Sequence, residues 1–323
     1  MKKIVLINFL IILGIIIFLE VSARIYIGYK YGTQNAGLEM RTLYLKYEPY
    51  VMYGKEWKKV FLNHINELDI DALNVLLLGG STAESFPVEI LEKSLSKSLN
   101  QDVKVFNGAM GGYISSQEMV ILTKYGYKLK PDLVINLNGA NDLIHSIRTN
   151  NSPGTFHLNS TFELFITKPL FAPIIKTLQF SQLYNGLVRL KSRNIDYKIE
   201  NYLEYVDIYL DNIVNMKIFS EGIGAEYFNI LQPHVEFKEI KNKNEINFTS
   251  YDYRSEIVKE LYEFVKNKAN SNDEIKEIFF DSTLIYEKNK EYIFTDDVHF
   301  VDNKGYEILS DFISMKVKDK LLN

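Results

Sequence analysis

The chain has 323 residues, 46% of them hydrophobic and 24% charged, which suits one large globular domain, or one domain with an appendage, and excludes a disordered chain. Its formal net charge is only -4, and Lys and Arg form no stripe interleaved with aromatic residues, so nucleic acid is excluded as an expected partner. The absence of cysteine excludes disulfides, zinc-thiolate sites and a cysteine nucleophile.

The N-terminus predicts a membrane-directed segment over residues 1–23. Lys2 and Lys3 precede an uncharged run, residues 4–19, whose length lies between a signal-peptide core and a membrane span. Residues 21–23 are small enough for signal cleavage, but Glu20 and the bulky aromatic residues that follow favour an uncleaved anchor. Either interpretation places the rest of the chain outside the cytoplasm, in a periplasm or at a cell surface.

Residues 24–71 are rich in Tyr, Lys and Glu and show no long periodicity. We therefore expect a membrane-proximal linker that packs on the next domain.

Short apolar runs then alternate with amphipathic segments from residue 72 to 323. Continuous apolar strands separated by helices predict parallel strands buried on both faces, as in an open α/β sheet. The expected strands are residues 75–78, 103–106, 133–137, 226–233 and 277–280, and the expected helices lie near 90–99, 117–125, 253–268 and 303–322. The alternation breaks over residues 143–223, which predict a helical insertion of the kind that shapes a pocket.

Polar segments follow three of the predicted strands and precede the last helix. They are Gly79-Gly80-Ser81-Thr82, a loop with Gly111 and Gly112, the run from Asn138 to Asp142, and the pair Asp296 and His299. Because ligands bind outside the carboxyl ends of parallel strands, we expect these segments to converge.

This set of residue types predicts nucleophilic catalysis. A serine is a weak nucleophile until an imidazole takes its proton, and a carboxylate keeps that imidazole in the useful tautomer. Ser81 would attack, His299 would act as base and then acid, and Asp296 would orient His299. The developing oxyanion needs fixed donors, for which we expect the backbone amides of Ser81 and Gly112 and the side-chain amide of Asn141.

The four segments GGST, the Gly112 loop, GAND and DDVH resemble, in this order, the four sequence blocks of the SGNH (GDSL-like) hydrolases. The resemblance runs from about residue 73 to the C-terminus and leaves the insertion unmatched. It implies a three-layer α/β/α flavodoxin-like fold and ester hydrolysis or acyl transfer through an acyl-serine, with no metal or cofactor.

The resemblance also assigns roles to individual residues. The nucleophile falls on Ser81, the oxyanion donors fall on Gly112 and Asn141, and the remaining pair falls on Asp296 and His299. Asp297 is adjacent, but the family has two residues between Asp and His, which selects Asp296. The family's usual Asp before the nucleophile is replaced by Gly80, as in a GGST-type subgroup.

The insertion and the anchor resemble those of exported members that act on O-acyl groups of cell-surface polysaccharides. We therefore expect a membrane-anchored esterase that removes an acetyl or other short acyl group from a carbohydrate, an envelope polymer or a small ester. The bias of the composition toward Ile, Lys and Asn suggests a bacterial source. An O-acyltransferase that uses a sugar hydroxyl as acceptor is an open alternative. A non-catalytic surface binding or assembly protein is another, and a nucleotide-binding strand-turn-helix at residues 74–83 is a third that lacks the complete glycine patterns.

Several of these residues also have structural interpretations. Ser81 followed by Glu84 fits a capping box at a helix start, and Asn141 with Asp142 fits a turn or cap. The remaining histidines lack metal-ligand spacing and are expected to be packing or surface residues: His64, His145, His157 and His234. Of these, His145 and His234 could line a pocket, but we expect no catalytic role for either.

Overall fold

The computed structural model describes residues 2–31, 46–143, 203–249 and 255–322, together with the single positions 167, 170, 171, 174 and 178 and residues 181–184. The chain divides into two compact units. The smaller unit comprises Met1–Leu45 and Leu158–Asp196, and the larger comprises Lys46–His157 and Tyr197–Asn323.

The described part of the smaller unit is dominated by helix α1, Lys2–Tyr31. Its stretch Lys3–Tyr26 has a mean hydropathy of 3.0 and is long and apolar enough to cross a membrane, although a signal sequence has the same properties. The helix therefore extends beyond residue 23, where the sequence predicted the end of the anchor.

The larger unit is built on a five-stranded parallel sheet in the order β4-β3-β5-β6-β7. An antiparallel hairpin of β1 (Lys46–Glu48) and β2 (Met52–Gly54) precedes it. The sheet strands are β3 (Leu73–Gly79), β4 (Val103–Asn107), β5 (Leu133–Asn138), β6 (Glu226–Leu231) and β7 (Phe279–Asp281). This is the flavodoxin-like order, and its direction reverses between β3 and β5, where such sheets bind their ligands.

Helices cover both faces of the sheet. The helices of this unit are α2 (Trp57–Asn66), α3 (Ser81–Glu84), α4 (Val88–Leu99), α5 (Ser115–Lys124), α6 (Leu203–Gly222), α7 (Lys243–Thr249), α8 (Ser255–Asn270) and α9 (Asn303–Leu321). Helices α4 and α9 pack together on one face, and α6 packs against α5, α8 and β6 on the other. The predicted three-layer α/β/α fold is therefore confirmed.

The strands are buried on both faces, as their continuous apolar sequences predict. In β3 the side chains of Val75 and Leu77 join the core formed with Leu91 of α4 and Leu309 of α9. The intervening Leu76 is fully buried as well, and it lies beside Gly126 away from that core. Because alternate residues of a strand point to opposite faces, a run with no polar residue needs helices on both sides.

Parts of the expected insertion and of the expected linker belong to the layers around the sheet. The last part of the expected insertion, residues 203–222, forms α6, which packs on β6 as a layer helix. The rest of the insertion lies outside the described residues, apart from residues 143, 181–184 and 223 and the single positions given above. Residues 46–66, expected as part of a linker, form the hairpin and α2, whose Trp57 and Phe61 are buried in the larger unit.

Candidate active site

Ser81 lies at the turn between β3 and α3, where two glycines allow a close approach of the backbone. Gly79 has a φ of +145°, and a Cβ at this position would lie 2.2 Å from the backbone oxygen of Leu137 in β5. A Cβ on Gly80 would lie 2.4 Å from Nδ2 of Asn141. Position 79 therefore requires glycine, and a side chain at position 80 would displace the Asn141 amide. The turn thus brings the residue before Ser81 against Asn141, at the point where the strand order reverses.

The side chains of Ser81, His299 and Asp296 form one hydrogen-bonded chain. His299 Nε2 lies 2.6 Å from Ser81 Oγ, and His299 Nδ1 lies 2.7 Å from Asp296 Oδ2. Ser81 is 218 residues away from His299 in the sequence, so the fold alone brings them together. With Nδ1 donating to the carboxylate, Nε2 is free of a proton and can accept the one on the serine hydroxyl.

Asp296 is held as an ionised carboxylate. Burial by itself raises its pKa, but the hydrogen bond and the charge of His299, together with the backbone N–H groups of Val298 and His299, outweigh burial and lower its pKa. Its Oδ1 accepts those two N–H groups at 2.9 and 2.8 Å. The carboxylate is therefore fixed in position and in charge, as a group that orients an imidazole must be.

Three N–H groups near Ser81 are available as donors. Asn141 Nδ2 donates one of its two hydrogens to the Tyr113 carbonyl oxygen at 2.8 Å, which leaves the second available. Among the described residues, no acceptor lies opposite the backbone N–H of Ser81 or of Gly112. These three N–H groups are the predicted oxyanion donors, and they come from the start of α3, from the loop after β4 and from the segment after β5.

The two neighbouring glycines of the second block are not equivalent. Gly111 N–H donates to Glu84 Oε2 at 2.8 Å, so it is already occupied, whereas Gly112 has a φ of +77°. The Gly111 carbonyl oxygen accepts a hydrogen bond from the Tyr53 hydroxyl at 3.2 Å. In a trans peptide the C=O and the following N–H point in opposite directions, so Tyr53 also fixes the direction of the Gly112 N–H.

Glu84 has a different task from the capping box that the sequence suggested. Gly80 precedes α3 as its cap residue and Ser81 is the first helical residue, with no side-chain cap. The Glu84 carboxylate instead binds Gly111 N–H and forms an ion pair with Lys55 at 2.9 Å. The capping-box interpretation is therefore wrong, because the Gly111 loop offers this carboxylate a tertiary partner.

A second hydrogen-bonded chain joins the Ser81 turn to the loop that carries His299. Gln232 Nε2 donates to Thr82 Oγ1 at 2.6 Å, and Thr82 Oγ1 donates to the Val298 carbonyl oxygen at 3.1 Å. Sequence reasoning missed Tyr53, Thr82 and Gln232. Thr82 follows the candidate nucleophile and Gln232 follows a strand, but nothing local indicates their partners.

Other residues that the sequence singled out have hydrogen-bond partners apart from Ser81. Asp142, expected in a turn or cap, accepts hydrogen bonds from the N–H and the hydroxyl of Ser115 at 3.0 and 2.6 Å. His64 contacts the Asn107 carbonyl oxygen at 3.3 Å, and His234 Nδ1 accepts from Glu236 N–H at 3.2 Å, as packing residues do. His145 and His157 lie outside the described residues.

Comparison with known proteins gives a likeness of structure only. No protein-family model matches the chain, and no curated protein is similar to it in sequence. It is similar to a GDSL-like lipase from Bacteroides thetaiotaomicron, with 14% identity and a TM-score of 0.46 over 82% of this chain and 98% of the lipase. It is also similar to a lipase from a goat rumen metagenome, with 15% identity and a TM-score of 0.47 over 76% of this chain and 97% of that one.

A third similar structure is the acetylxylan esterase Axe2 of Geobacillus stearothermophilus, with 13% identity and a TM-score of 0.45 over 77% of this chain and 96% of the esterase. Independently of these values, the strand order is the one that the resemblance to SGNH hydrolases implies. Three of the four blocks follow the carboxyl ends of β3, β4 and β5, and the fourth meets the first through the contact of His299 with Ser81. The fold predicted from that resemblance is confirmed.

Proposed function

We propose that the chain is a serine esterase of the SGNH type, with Ser81 as nucleophile, His299 as general base and acid, and Asp296 as the group that orients His299. The observation that carries this proposal is the continuous chain from Ser81 Oγ through His299 to Asp296, with contacts of 2.6 and 2.7 Å. The three donors around the serine support it further, because a hydroxyl in an ordinary helix turn requires none of them.

In the first half of the reaction, Ser81 Oγ attacks the carbonyl carbon of the ester while its proton passes to His299 Nε2. Asp296 stabilises the imidazolium that forms, and the carbonyl oxygen becomes an oxyanion. The N–H groups of Ser81 and Gly112 and the Asn141 amide would stabilise that charge. His299 then gives its proton to the alkoxy oxygen, the ester bond breaks, and the alcohol leaves an acyl-serine behind.

In the second half, water takes the place of the alcohol. His299 removes a proton from the water, the hydroxide oxygen attacks the acyl carbon, and the same donors hold the second oxyanion. The bond from Ser81 Oγ to the acyl carbon breaks, and the proton returns to the serine. The products are a carboxylic acid and the free enzyme. The atoms and protons of the two steps balance without an oxidant, a reductant or a metal ion.

The substrate class and the location are further parts of the proposal. An acetylxylan esterase among the similar structures supports a short acyl ester on a carbohydrate as the substrate. The apolar stretch Lys3–Tyr26 supports a membrane anchor with the esterase outside the cytoplasm, and a cleaved signal sequence is the alternative fate of that stretch. The proposed organisation is an N-terminal segment, a connecting region and a hydrolase domain with a helical insertion, and the hydrolase domain starts near residue 46 instead of residue 72.

Hydrolysis of p-nitrophenyl acetate by the full chain in detergent tests the proposal. We expect turnover by the wild type and a loss of about 10⁴-fold or more in kcat/KM in Ser81→Ala and in His299→Ala. Ser94→Ala is the matched control, because the Ser94 hydroxyl of α4 donates to Asp311 of α9 at an exposed position and should not affect the rate. Equal rates in all four proteins would contradict the proposal.

A second assay determines the acceptor. Incubation of the acyl donor with and without a glycan acceptor, followed by mass spectrometry of the products, separates hydrolysis from O-acyl transfer. The esterase proposal predicts free carboxylate as the main product in both samples. Acylated glycan as the main product would show that a sugar hydroxyl, not water, attacks the acyl-serine.

A further inference from the structure

Glu20 is a charged residue at the end of the long apolar part of α1. Residues 4–19 before it carry no charge, and its carboxylate forms an ion pair with Arg24 at 2.8 Å, one turn further along. With a rise of about 1.5 Å per residue, Glu20 lies about 26 Å along the helix axis from Lys3. The hydrocarbon core of a bilayer is about 30 Å thick, so an anchor that starts at Lys3 places Glu20 near the opposite interface.

A distant part of the chain is fixed to α1 at this residue. The Glu20 carboxylate accepts hydrogen bonds from Ser181 Oγ at 2.7 Å and from the backbone N–H groups of Gln182 and Leu183 at 3.0 Å each. The Ser181 hydroxyl oxygen in turn accepts from Tyr184 N–H at 3.0 Å. Both parts belong to the smaller compact unit, so this attachment is internal to that unit.

The described residues just before this attachment expose large apolar side chains. Leu170 is 85% exposed, Phe171 60%, Ile174 58% and Leu178 43%, and we call these four residues the 170–178 face. The Leu178 carbonyl oxygen accepts from Ser181 N–H at 2.9 Å, which connects the face directly to the Glu20 contact. In sequence, residues 169–184 contain a single charged residue, Lys176.

Water is an unfavourable environment for such a face, and soluble proteins seldom leave large apolar residues exposed in a group. The apolar residues of α1 that precede Glu20 are exposed to a similar degree, for example Ile17 at 55% and Phe18 at 69%. If α1 crosses a bilayer, lipid covers those side chains, and the same lipid is available to a segment that is fixed to α1 at the interface.

We propose that the 170–178 face inserts into the interfacial region of the bilayer that α1 crosses. This inference rests on the membrane anchor of the proposed function and adds a second, interfacial membrane contact from the insertion. A lone lysine does not oppose it, because a lysine stem can lie along acyl chains while the ammonium group reaches the head groups. The partner is therefore phospholipid, and the insertion is a membrane-binding element.

The absence of cysteine makes a direct test straightforward, because one introduced cysteine carries the only label. Phe171→Cys and, separately, Ile174→Cys are labelled with an environment-sensitive fluorophore, and the full chain is reconstituted into phosphatidylcholine vesicles. Leu10→Cys in α1 reports the bilayer interior. Asp273→Cys reports water, because the Asp273 side chain is 90% exposed and ion-paired on the surface of the larger unit.

We expect the labels at 171 and 174 to be quenched by phosphatidylcholine with a doxyl group near the head group, and to resist iodide several-fold better than the label at 273. Iodide quenching equal to that at 273, with the label at 10 still quenched by doxyl lipid, would overturn the inference and leave the anchor intact. Shielding from both quenchers would also overturn it, since protein would then cover the face. If the label at 10 escapes doxyl lipid, the anchor and the inference both fail.

Discussion

At the scale of single residues, the hydroxyl of Ser81 depends on groups from distant parts of the chain. In the proposed mechanism, Asp296 acts on this hydroxyl through His299, because the carboxylate selects the tautomer in which Nε2 can accept a proton. In Asp296→Asn, the amide can donate to Nδ1 and move the ring proton to Nε2. We expect kcat to fall by about 10³- to 10⁴-fold with little change in KM. A loss of less than about tenfold in p-nitrophenyl acetate turnover would exclude this role.

Tyr53 is predicted to position an oxyanion donor without touching the substrate. Burial raises the pKa of its hydroxyl, which therefore remains a donor to the Gly111 carbonyl oxygen at any working pH. Without this bond, the peptide that carries the Gly112 N–H is free to rotate. We expect Tyr53→Phe to lower kcat by about tenfold while KM stays the same, as measured by steady-state kinetics.

Tyr125→Phe is the matched control for Tyr53→Phe. The Tyr125 hydroxyl donates to Glu48 Oε1 at 3.0 Å and so also ties the N-terminal hairpin to the rest of the unit, but it does not contact the Gly111 loop. It should lower the melting temperature and leave kcat unchanged. Similar losses of kcat in both variants would assign Tyr53 a purely structural role.

The candidate site residues and Tyr53 differ in how far the sequence alone reveals them. Ser81 and Asn141 come a few residues after apolar runs, and Asp296 and His299 are three residues apart, so local pattern was enough to single them out as candidates. Tyr53 is 58 residues from Gly111 and lies in a region without periodicity. Its role depends on the direction of one peptide plane, which no local pattern indicates.

At the scale of secondary-structure elements, a buried polar layer joins β5 to α5 and α6. Asp142 holds Ser115 at the start of α5, and Asn212 of α6 donates to the Ser115 hydroxyl oxygen at 2.9 Å. Glu118 of α5 is buried and accepts from Asn138 at 2.7 Å. These contacts fix α5 and the Gly112 loop before it relative to the Asn141 segment.

The two carboxyl groups of this layer have raised pKa values. Burial, followed by the negative charge of Asp142, raises the pKa of Glu118 well above its ordinary value. Burial raises the pKa of Asp142 to about 6, although hydrogen bonds from Ser115 oppose the change. Oε1 of Glu118 and Oδ1 of Asn136 are both buried without a partner in the described residues, and a protonated Glu118 can donate to Asn136.

A pH dependence of stability follows. An acid whose pKa is higher in the folded chain binds more protons there than in the unfolded chain, so stability is lost as pH rises from about 4 through the folded pKa. Glu118→Gln keeps an oxygen that can accept from Asn138 and removes the charge. We expect it to increase the free energy of unfolding by about 1 kcal/mol or more at pH 8, with a smaller difference near pH 4.

Denaturant unfolding at both pH values checks this expectation. Glu307→Gln on the exposed side of α9 is the control and should change stability little at either pH. A variant Glu118→Gln that is less stable than the wild type at pH 8 would show that the charged form of Glu118 is the one the fold requires.

Sequence patterns were sufficient to predict the strands of the sheet but not the boundary of the insertion. Short, mostly apolar runs predicted every strand of the sheet, because burial on both faces favours apolar residues, although single polar residues such as Lys104 and Asn229 interrupt them. The boundary between insertion and layer was missed at α6, because that helix is rich in Tyr and Ile and resembles the insertion before it. Burial in α6 is decided by contact with β6 and α5, which lie far from it in the sequence.

At the scale of the whole molecule, the larger unit begins before the predicted hydrolase domain. Lys55 reaches Glu84 and the Ala109 carbonyl oxygen, at 2.9 and 3.2 Å. Trp57 Nε1 donates to the Tyr113 hydroxyl oxygen at 3.0 Å, and that hydroxyl donates to the Tyr53 carbonyl oxygen at 2.7 Å. The expected linker therefore contributes both to the core and to the surroundings of the candidate site.

Two truncated chains test this contribution. We expect a fragment of residues 46–323 to keep kcat/KM close to that of the full chain in the same detergent. A fragment of residues 72–323 should melt at a lower temperature and lose at least about tenfold in kcat, because Tyr53 and Lys55 no longer hold the Gly111 loop. Equal kcat in the two fragments would restore the predicted boundary at residue 72.

The most direct test of the account is the identity of the residue that a fluorophosphonate modifies. The account predicts one adduct per chain, mapped by mass spectrometry to Ser81, formed rapidly in the wild type and in Ser94→Ala and slowed by orders of magnitude in His299→Ala. An adduct on another serine, or no adduct in a folded chain whose His299 is intact, would contradict Ser81 as the nucleophile.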